Sequence, residues 1–536
     1  MDNKRVILAV ALSLVVLVLW SLLFAPKPPP QKQTQAPEKQ AETPADQIRP
    51  GLEQAPEPLA EPTPFEAAKG QKVVVETPLY KAVFNSQGGA LLRFELKNYK
   101  QSIAENAPPV DLVGGNSLSK GPMGLLLNGQ ATWRKGEWAA PGENLELRDG
   151  ETGTLKFTGK SGGVQIVRTL SFHADGYLIE EDTRLLNTTG NTLPGRIGYT
   201  LAAANLSSED NRYNLTRISY LNAEGVDDED DKEDLAKGIL RQKGIQWGGI
   251  QSNYFLTALA PETGDIAFKA RYEDDVYRAA MEKQGAELPP GMEKAVSCAY
   301  YLGPILEDRL EGTPNHLSEA VTYGWFDIIS KPLLKGLNFF YRYTGHNYGV
   351  AIIILTISIK IVFWPLSQKS YRSMSKMKKI QPLMAKIREE YKSDRQKMNQ
   401  EMMRLYKTYK VNPAGGCLPI ALQIPVFFGL YQALLGAIEL RHAPFISHLP
   451  FTDMIWLADL SAKDPYYVTP LIMGASMFLQ QKMTPSPGDP TQAKVMLFMP
   501  IIFTFLFLNF PSGLVVYWLV NNILSIAQQW LMIRKA

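Results

Sequence analysis

Cysteine and histidine are scarce in this chain. Cys298 and Cys417 are the only two cysteines among 536 residues. The first sits in polar sequence, the second opens an apolar run, and neither belongs to a CxxC pair. A structural disulfide, a redox motif and a zinc site are therefore disfavoured. The five histidines, His173, His316, His346, His442 and His448, form no HExxH, and GxSxG and P-loop patterns are missing. No carboxylate pair falls inside an apolar run. The residues offer no catalytic apparatus, no metal site, no cofactor and no nucleotide site to drive transport. No specific nucleic-acid partner is expected, and the net charge of +3 matters less than where the charge lies.

What the chain has instead is long apolar runs. After MDNKR, Val6 to Phe24 is almost purely apolar; about nineteen residues at ~1.5 Å each reach ~28 Å, enough to span the hydrocarbon of a bilayer. A cleavable signal peptide competes, but the stretch is long for one and APKPPP is a poor cleavage site, so an uncleaved signal anchor (residues 1–24) is favoured. Lys4 and Arg5 then stay in the cytoplasm and the following chain emerges outside. Residues 25–70, rich in Pro, Gln, Ala and Glu, read as a disordered tether.

From 71 to 317, runs such as KVVVETPLYKAVF, GVQIVRTLSF and KAVSCAYYL alternate with Gly, Asn, Asp and Pro turns, which predicts a large β domain with a two-sheet sandwich as the preferred architecture. The acidic run Asp227 to Asp234 lacks the Gly and terminal Glu of an EF-hand and reads as a solvated loop. Over 318–345 the pattern turns helical: Phe326, Ile329, Leu333, Leu337 and Phe340 form one apolar stripe. Its place just before an apolar span favours a helix in the membrane interface over one packed on the β domain.

Five further apolar segments lie near 347–366, 417–438, 466–482, 495–510 and 514–532. Alternating from the first anchor puts every Lys/Arg-rich connection inside, and both chain ends with them. The largest such loop, 368–411, carries thirteen basic residues against four acidic ones. It reads as two helices, Ser370–Tyr391 and Asp394–Lys410, folded into a hairpin. Met374, Met377, Ile380, Leu383 and Ile387 share one face; Met398, Met402, Leu405 and Tyr409 share another. A plain topology-setting loop would explain the charge but not the two stripes, so a docking element is favoured, with adaptable methionines beside Lys376, Lys378 and Lys379.

Lys360 lies within AIIILTISIKIVFWPL, where a charge costs ~2.5–3.5 kcal/mol. Snorkelling to the inner surface is the plain account. Against it, Thr356 lies one turn away, and Gln423, Thr504, Asn521, Asn522 and Gln528 fall in other spans, so a shared hydrated cavity in the inner half of the membrane accommodates them together. Val495–Phe510 and Tyr466–Leu479 reach only ~24 and ~21 Å. Pro419, Pro425 and Pro500 interrupt helices. Short spans favour local thinning, which lowers the barrier to moving a polar segment across.

The segments KVNPAGGCLPIALQIPVFFGLY (Lys410–Tyr431), DPYYVTPLIMGASMFLQQKM (Asp464–Met483) and FMPIIFTFLFLNFPSGLVVYWLVNNI (Phe498–Ile523) resemble the YidC/Oxa1/Alb3 membrane protein insertases, in the Gram-negative bacterial YidC form, along essentially the whole chain. The resemblance implies a multi-domain protein of the bacterial inner membrane, with six spans. Five of them form a helical core around a hydrophilic groove, and a large periplasmic all-β supersandwich domain accompanies it. It implies that Lys360 holds the groove's positive position, where many members carry arginine. Thr356, Gln423, Tyr517, Trp518 and Asn521 map onto the groove or its client-contacting wall. The hairpin, with Lys376, Lys378, Lys379, Met374, Met377 and Met402, becomes the cytoplasmic docking region for clients or ribosomes. The partners implied are nascent membrane proteins, the Sec translocon, the ribosome, the signal recognition particle pathway and membrane lipids. The function expected is insertion and folding of membrane proteins, not enzymatic. The rival is a secondary transporter or channel for a small polar solute, which predicts internally repeated halves that the sequence does not display.

Overall fold

The computed structural model describes residues 70–139, 142–207, 213–262, 264–283, 287–409, 411, 418–484 and 490–534. The anchor expected at Val6–Phe24, nearly all of the tether, Lys410 and Cys417 lie outside them.

Residues 72–304 build three sheets, of five, nine and six strands. The nine-stranded sheet is central. Strands Thr152–Ser161, Val164–His173, Leu178–Asn187 and Glu293–Pro304 pair antiparallel within it. Tyr300 and Tyr301 are successive on one strand, so they point to opposite faces. Tyr300 meets Tyr199 of the six-stranded sheet, and Tyr301 meets Tyr177, which in turn meets Tyr80 of the five-stranded sheet. Ile197–Ala203, Trp247–Gln251 and Phe255–Pro261 are buried at every position, as strands covered on both faces must be. A third sheet therefore replaces the simple two-sheet arrangement. The acidic run is not a loop. It is an edge strand, Gly225–Glu229, followed by a short helix, Lys232–Lys237, which Asp231 caps by accepting from the amides of Glu233 and Asp234. Paired acids blunt an edge against further strand addition, and Asp at the N-cap with acids in the first turn suits the helix dipole.

Inside the β domain, Arg168 and Glu181 are fully buried. The Arg168 guanidinium reaches both Glu181 oxygens at 2.7 Å and donates to the carbonyls of Met123 (2.8 Å) and Gly88; Thr183 adds a bond to Glu181 at 2.6 Å. A buried pair is tolerable only when its remaining protons and lone pairs are met in this way.

The C-terminal part is helical: α1 (Asp327–Tyr343), α2 (Tyr348–Val362), α3 (Trp364–Glu390), α4 (Arg395–Thr408), α5 (Leu418–Gly436), α6 (Val468–Met483), α7 (Pro490–Phe507) and α8 (Ser512–Arg534). α1 starts later than Ser318. Two short 3-10 turns precede it, and Gly324 at φ +61° interrupts regular winding. It lies against the helical part: Phe326 stacks on Phe428, and Ser330 donates to the carbonyl of Gly429 at 2.8 Å. Gly429 is required there, since a Cβ would sit 2.7 Å from Ile329. The far side of α1 leaves Ile328 (89 % exposed) and Tyr343 uncovered, as an interfacial helix would.

α2, α5, α6, α7 and α8 share a second apolar core around Ile352, Leu355, Leu434, Met473, Phe507 and Val515. Asn347 caps α2 through the amide of Val350. Asp464, itself buried, accepts from the amide and hydroxyl of Thr469 to start α6. Among the described residues, only the continuous stretch Tyr348–Glu390 is both long and apolar enough to cross a membrane by itself; Gln423–Gly436 and Met496–Phe507 are shorter apolar helices.

Candidate functional site

Lys360 sits in the last turn of α2, where a cation also faces the negative end of the helix. Its side chain turns inward. The Nζ donates to the hydroxyl of Ser525 on α8 at 2.7 Å, and that hydroxyl donates to the carbonyl of Asn521 at 2.7 Å. The Asn521 side chain accepts from Gln423 Nε2 of α5 at 3.0 Å. A polar chain thus runs Lys360–Ser525–Asn521–Gln423 through three apolar helices. Thr356, one turn earlier on α2, is buried, and its hydroxyl returns to the carbonyl of Ile352. Of the groove residues expected from the sequence, Gln423 and Asn521 meet directly, and Lys360 joins them through Ser525.

Asn522 and Gln529 work on the other side of α8. Asn522 donates to Ser476 of α6 at 3.2 Å, and Gln529 to the carbonyl of Met483 at 2.8 Å. Gln528 is buried with its Nε2 unpartnered, an amide that needs water or a visiting acceptor. Thr504 bonds its own helix at the carbonyl of Pro500 and faces Gly474; it joins helices and not the Lys360 chain.

Tyr517 and Trp518 are placed differently from the polar chain. Phe427 lies between them, parallel to Tyr517 at 6.4 Å and edge-on to Trp518 at 4.6 Å. Trp518 also meets Phe503 and Phe507. They form an aromatic wall joining α5, α7 and α8, one turn outward from Asn521. Ser525 was missed. A serine in an apolar helix ordinarily bonds its own preceding turn, so its residue type carries no signal; only its one-turn spacing from Asn521 hinted at a shared face.

The hairpin α3–α4 closes its own small core from Ile380, Met384, Met402 and Val411, with Met377, Ile387, Met398, Leu405 and Tyr406 against it. Met377 and Met402 are therefore spent largely on holding the hairpin, and Met384 and Tyr406 stand where Leu383 and Tyr409 were expected. Lys376, Lys378 and Lys379 are exposed, Met374 is half-buried, and Met403 and Tyr409 present free apolar surface. α3 begins at Trp364, with only Phe363 between it and the end of α2, so the hairpin continues from the helix that carries Lys360. Among the described residues no three His, Cys, Asp or Glu side chains cluster as metal ligands.

The fold and this site define a class: an apolar helical bundle with a polar interior seam, a cationic hairpin at one end and a large β domain at the other. Residues 339–536 match the family described as 60Kd inner membrane protein, and residues 72–335 match the YidC periplasmic domain. The membrane protein insertase YidC of Maridesulfovibrio salexigens is 54% identical over 100% of this chain and 99% of its own length. That of Oleidesulfovibrio alaskensis is 54% identical with 100% of both covered, and that of Syntrophus aciditrophicus 40% identical with 100% of both covered. A crystal structure of an active YidC insertase superposes loosely, with TM-score 0.36 and 20% identity over 85% of this chain and 91% of that one. The chain belongs to the YidC family of membrane protein insertases, inner-membrane proteins with a periplasmic β domain.

Proposed function

We propose that this chain inserts and helps fold nascent membrane proteins, working through a hydrophilic groove that opens to cytoplasm and lipid, alone or beside the Sec translocon. The N-terminal anchor and α2, α5, α6, α7 and α8 are six spans with both chain ends in the cytoplasm, and the β domain is a periplasmic supersandwich. α1 lies in the outer interface, and α3–α4 projects into the cytoplasm, where ribosomes and the signal recognition particle deliver clients.

The observation that carries this reading is the chain Lys360–Ser525–Asn521–Gln423. Four polar groups on three apolar helices hold one another inside a segment that lipid would otherwise surround. Ser525 satisfies one of the three ammonium protons and is a neutral acceptor, so the charge is oriented without being neutralised. A client carboxylate at 4 Å from such a charge gains about 4 kcal/mol at an effective dielectric of 20. That is the size of the ~2.5–3.5 kcal/mol cost of a charge at mid-membrane.

The steps follow from position. Lys376, Lys378 and Lys379, with Met403 and Tyr409, receive the client at the hairpin. Its polar flank enters beside Lys360, while its apolar part slides along α5 and α7 past the wall of Phe427, Tyr517 and Trp518. The flank then crosses, driven by partitioning of the apolar segment and by the membrane potential at ~2.3 kcal/mol per charge per 100 mV. α6, with 16 residues, is only ~24 Å long, which lowers the barrier by thinning the bilayer. No covalent step is required, and nothing in the helical part favours a path for a small solute.

The test is insertion of a single-span client with an acidic flank into liposomes holding only this protein. Lys360→Ala should slow it and Lys360→Arg should preserve it. Unchanged insertion of every client by Lys360→Ala would refute the charged-groove role.

A further inference from the structure

A cavity of about 750 Å³ lies where the β domain meets the outer ends of the helices. Its β side is the end of strand Ala90–Lys100 and the turn after it; its helical side is the segment that follows α5. Arg441 ties the two together, donating to the carbonyl of Lys100 at 2.7 Å and stacking its guanidinium over Phe255. The lining is one-sided in charge. Lys97, Lys100 and Arg441 face it with one acid, Glu439, and two imidazoles, His448 and His442, the latter held toward its neutral form by burial and the neighbouring Arg441. Burial pushes the Glu439 carboxyl up, which weakens even that opposition. Lys100 is exposed and spends one ammonium proton on the carbonyl of Glu105 at 2.6 Å, which leaves two to donate; His448 is exposed, and the Lys97–Glu76 contact at 2.9 Å is a surface pair of little strength.

The opposite rim is apolar. Ile103 and Ile455, each about half exposed, flank the opening, with Ile438 and Pro444 below. The height of the site is set by α1: Asn338 of that helix donates to Glu439 at 3.1 Å and accepts from Tyr348 at the start of α2. On the placement of α1 in the outer interface proposed above, on which this inference rests, the cavity opens where headgroups end and acyl chains begin. A soluble anion would answer the cations and leave Ile103 and Ile455 in water. A molecule with an anionic head and an apolar body answers both, and its volume falls in the range of small-molecule sites.

We propose that this cavity binds the headgroup of an anionic phospholipid from the outer leaflet, with its phosphate toward Lys100, Arg441 and His448 and its acyl end against Ile103 and Ile455. The lipid thereby bridges the β domain to the helical core, beside the contact that Arg441 already makes.

Native mass spectrometry of the delipidated full-length protein tests this, with phosphatidylglycerol, phosphatidylcholine and inorganic phosphate offered in turn. Phosphatidylglycerol should be retained over phosphatidylcholine, and phosphate should not displace it. The double variant Lys100→Gln/His448→Gln should weaken retention about tenfold, at the scale expected for removing basic residues at a membrane surface; Ile103→Ser/Ile455→Ser should weaken it independently. Lys100→Gln alone leaves the backbone carbonyl for Arg441 and so keeps the fold, and it should give a smaller loss of the same kind. Equal binding of the two lipids, retention unchanged in both double variants, or displacement by phosphate alone would each overturn the proposal.

Discussion

The β domain and the helical core both bury an arginine- or lysine-type charge, and they treat it in opposite ways. Arg168 meets a carboxylate, two carbonyls and, through Glu181, a threonine hydroxyl, with no exposed surface left on either partner. Lys360 meets the hydroxyl of Ser525 and remains half-buried. A charge that is fully paired and sealed can only hold its surroundings together. A charge that is oriented by a neutral group keeps most of its field for something that arrives later. The difference separates a sealed, fully paired charge from one that keeps donors to spare, which is what the proposed groove requires.

The largest effect that would sharpen this contrast is at the sealed pair. Arg168→Met leaves Glu181 buried and unpaired and should cost 3–5 kcal/mol of stability, read as early loss of hydrogen-exchange protection in strands Val164–His173 and Leu178–Asn187 of the intact chain. Pairing it with Glu181→Leu should restore most of that loss. A cost below about 1 kcal/mol for the single variant would put the pair in the same class as a surface bridge and dissolve the comparison.

Lys360→Ala should do the reverse. Insertion of an acidic-flanked client should fall about tenfold, equivalent to ~1.4 kcal/mol, while the melting temperature stays put. If instead the protein melts early and insertion per folded molecule is unchanged, Lys360 is structural as Arg168 is.

The hairpin offers a local version of the same test, confined to one pair of helices. Met402→Ala removes a core side chain and should open the α3–α4 hairpin locally by ~2 kcal/mol, seen as faster amide exchange in Arg395–Thr408. Met403→Ser, one residue away on the exposed side, should leave exchange unchanged and reduce crosslinking to a nascent client. Identical behaviour of the two would mean that the methionines act as one surface.

The smallest effect is in acid. Burial pushes the Glu273 carboxyl up, but hydrogen bonds and charge from Arg278 and Lys120 outweigh it and leave its pKa below the usual value of about 4.5. The ionised form is thus favoured by folding, so its contribution is fully present above about pH 4.5 and is lost as the pH falls through the lower folded value. Melts of the β domain in the intact protein should drop over that window, and Glu273→Gln should flatten the drop. A slope unaffected by the substitution would move the acid sensitivity elsewhere.

Much of the architecture was legible because its signals are local and periodic. Alternating apolar residues predict strands, long apolar runs predict the apolar helices, and three- and four-residue steps predict the amphipathic helix of Phe326, Leu333 and Leu337. The differences have equally local causes. Periodicity carries the helix back to Ser318 because it ignores a single left-handed Gly324. Charge density makes the acidic run resemble a loop and hides a strand that pairs through its backbone. In the hairpin, a stripe drawn on one helix cannot reveal its rotation against the other. The stripes therefore include Leu383 and Tyr409 where the hairpin core takes Met384 and Tyr406, and part of the methionine surface is interior.

Residue type and spacing are enough to place this protein in a membrane, to mark its basic connections, and to show polar side chains where lipid would reject them. Which of those polar groups meet is set by packing. Lys360 and Ser525 are 165 residues apart, and no rule of spacing links them. Their contact exists because α2 and α8 pack side by side, and packing is a property of all the helices at once.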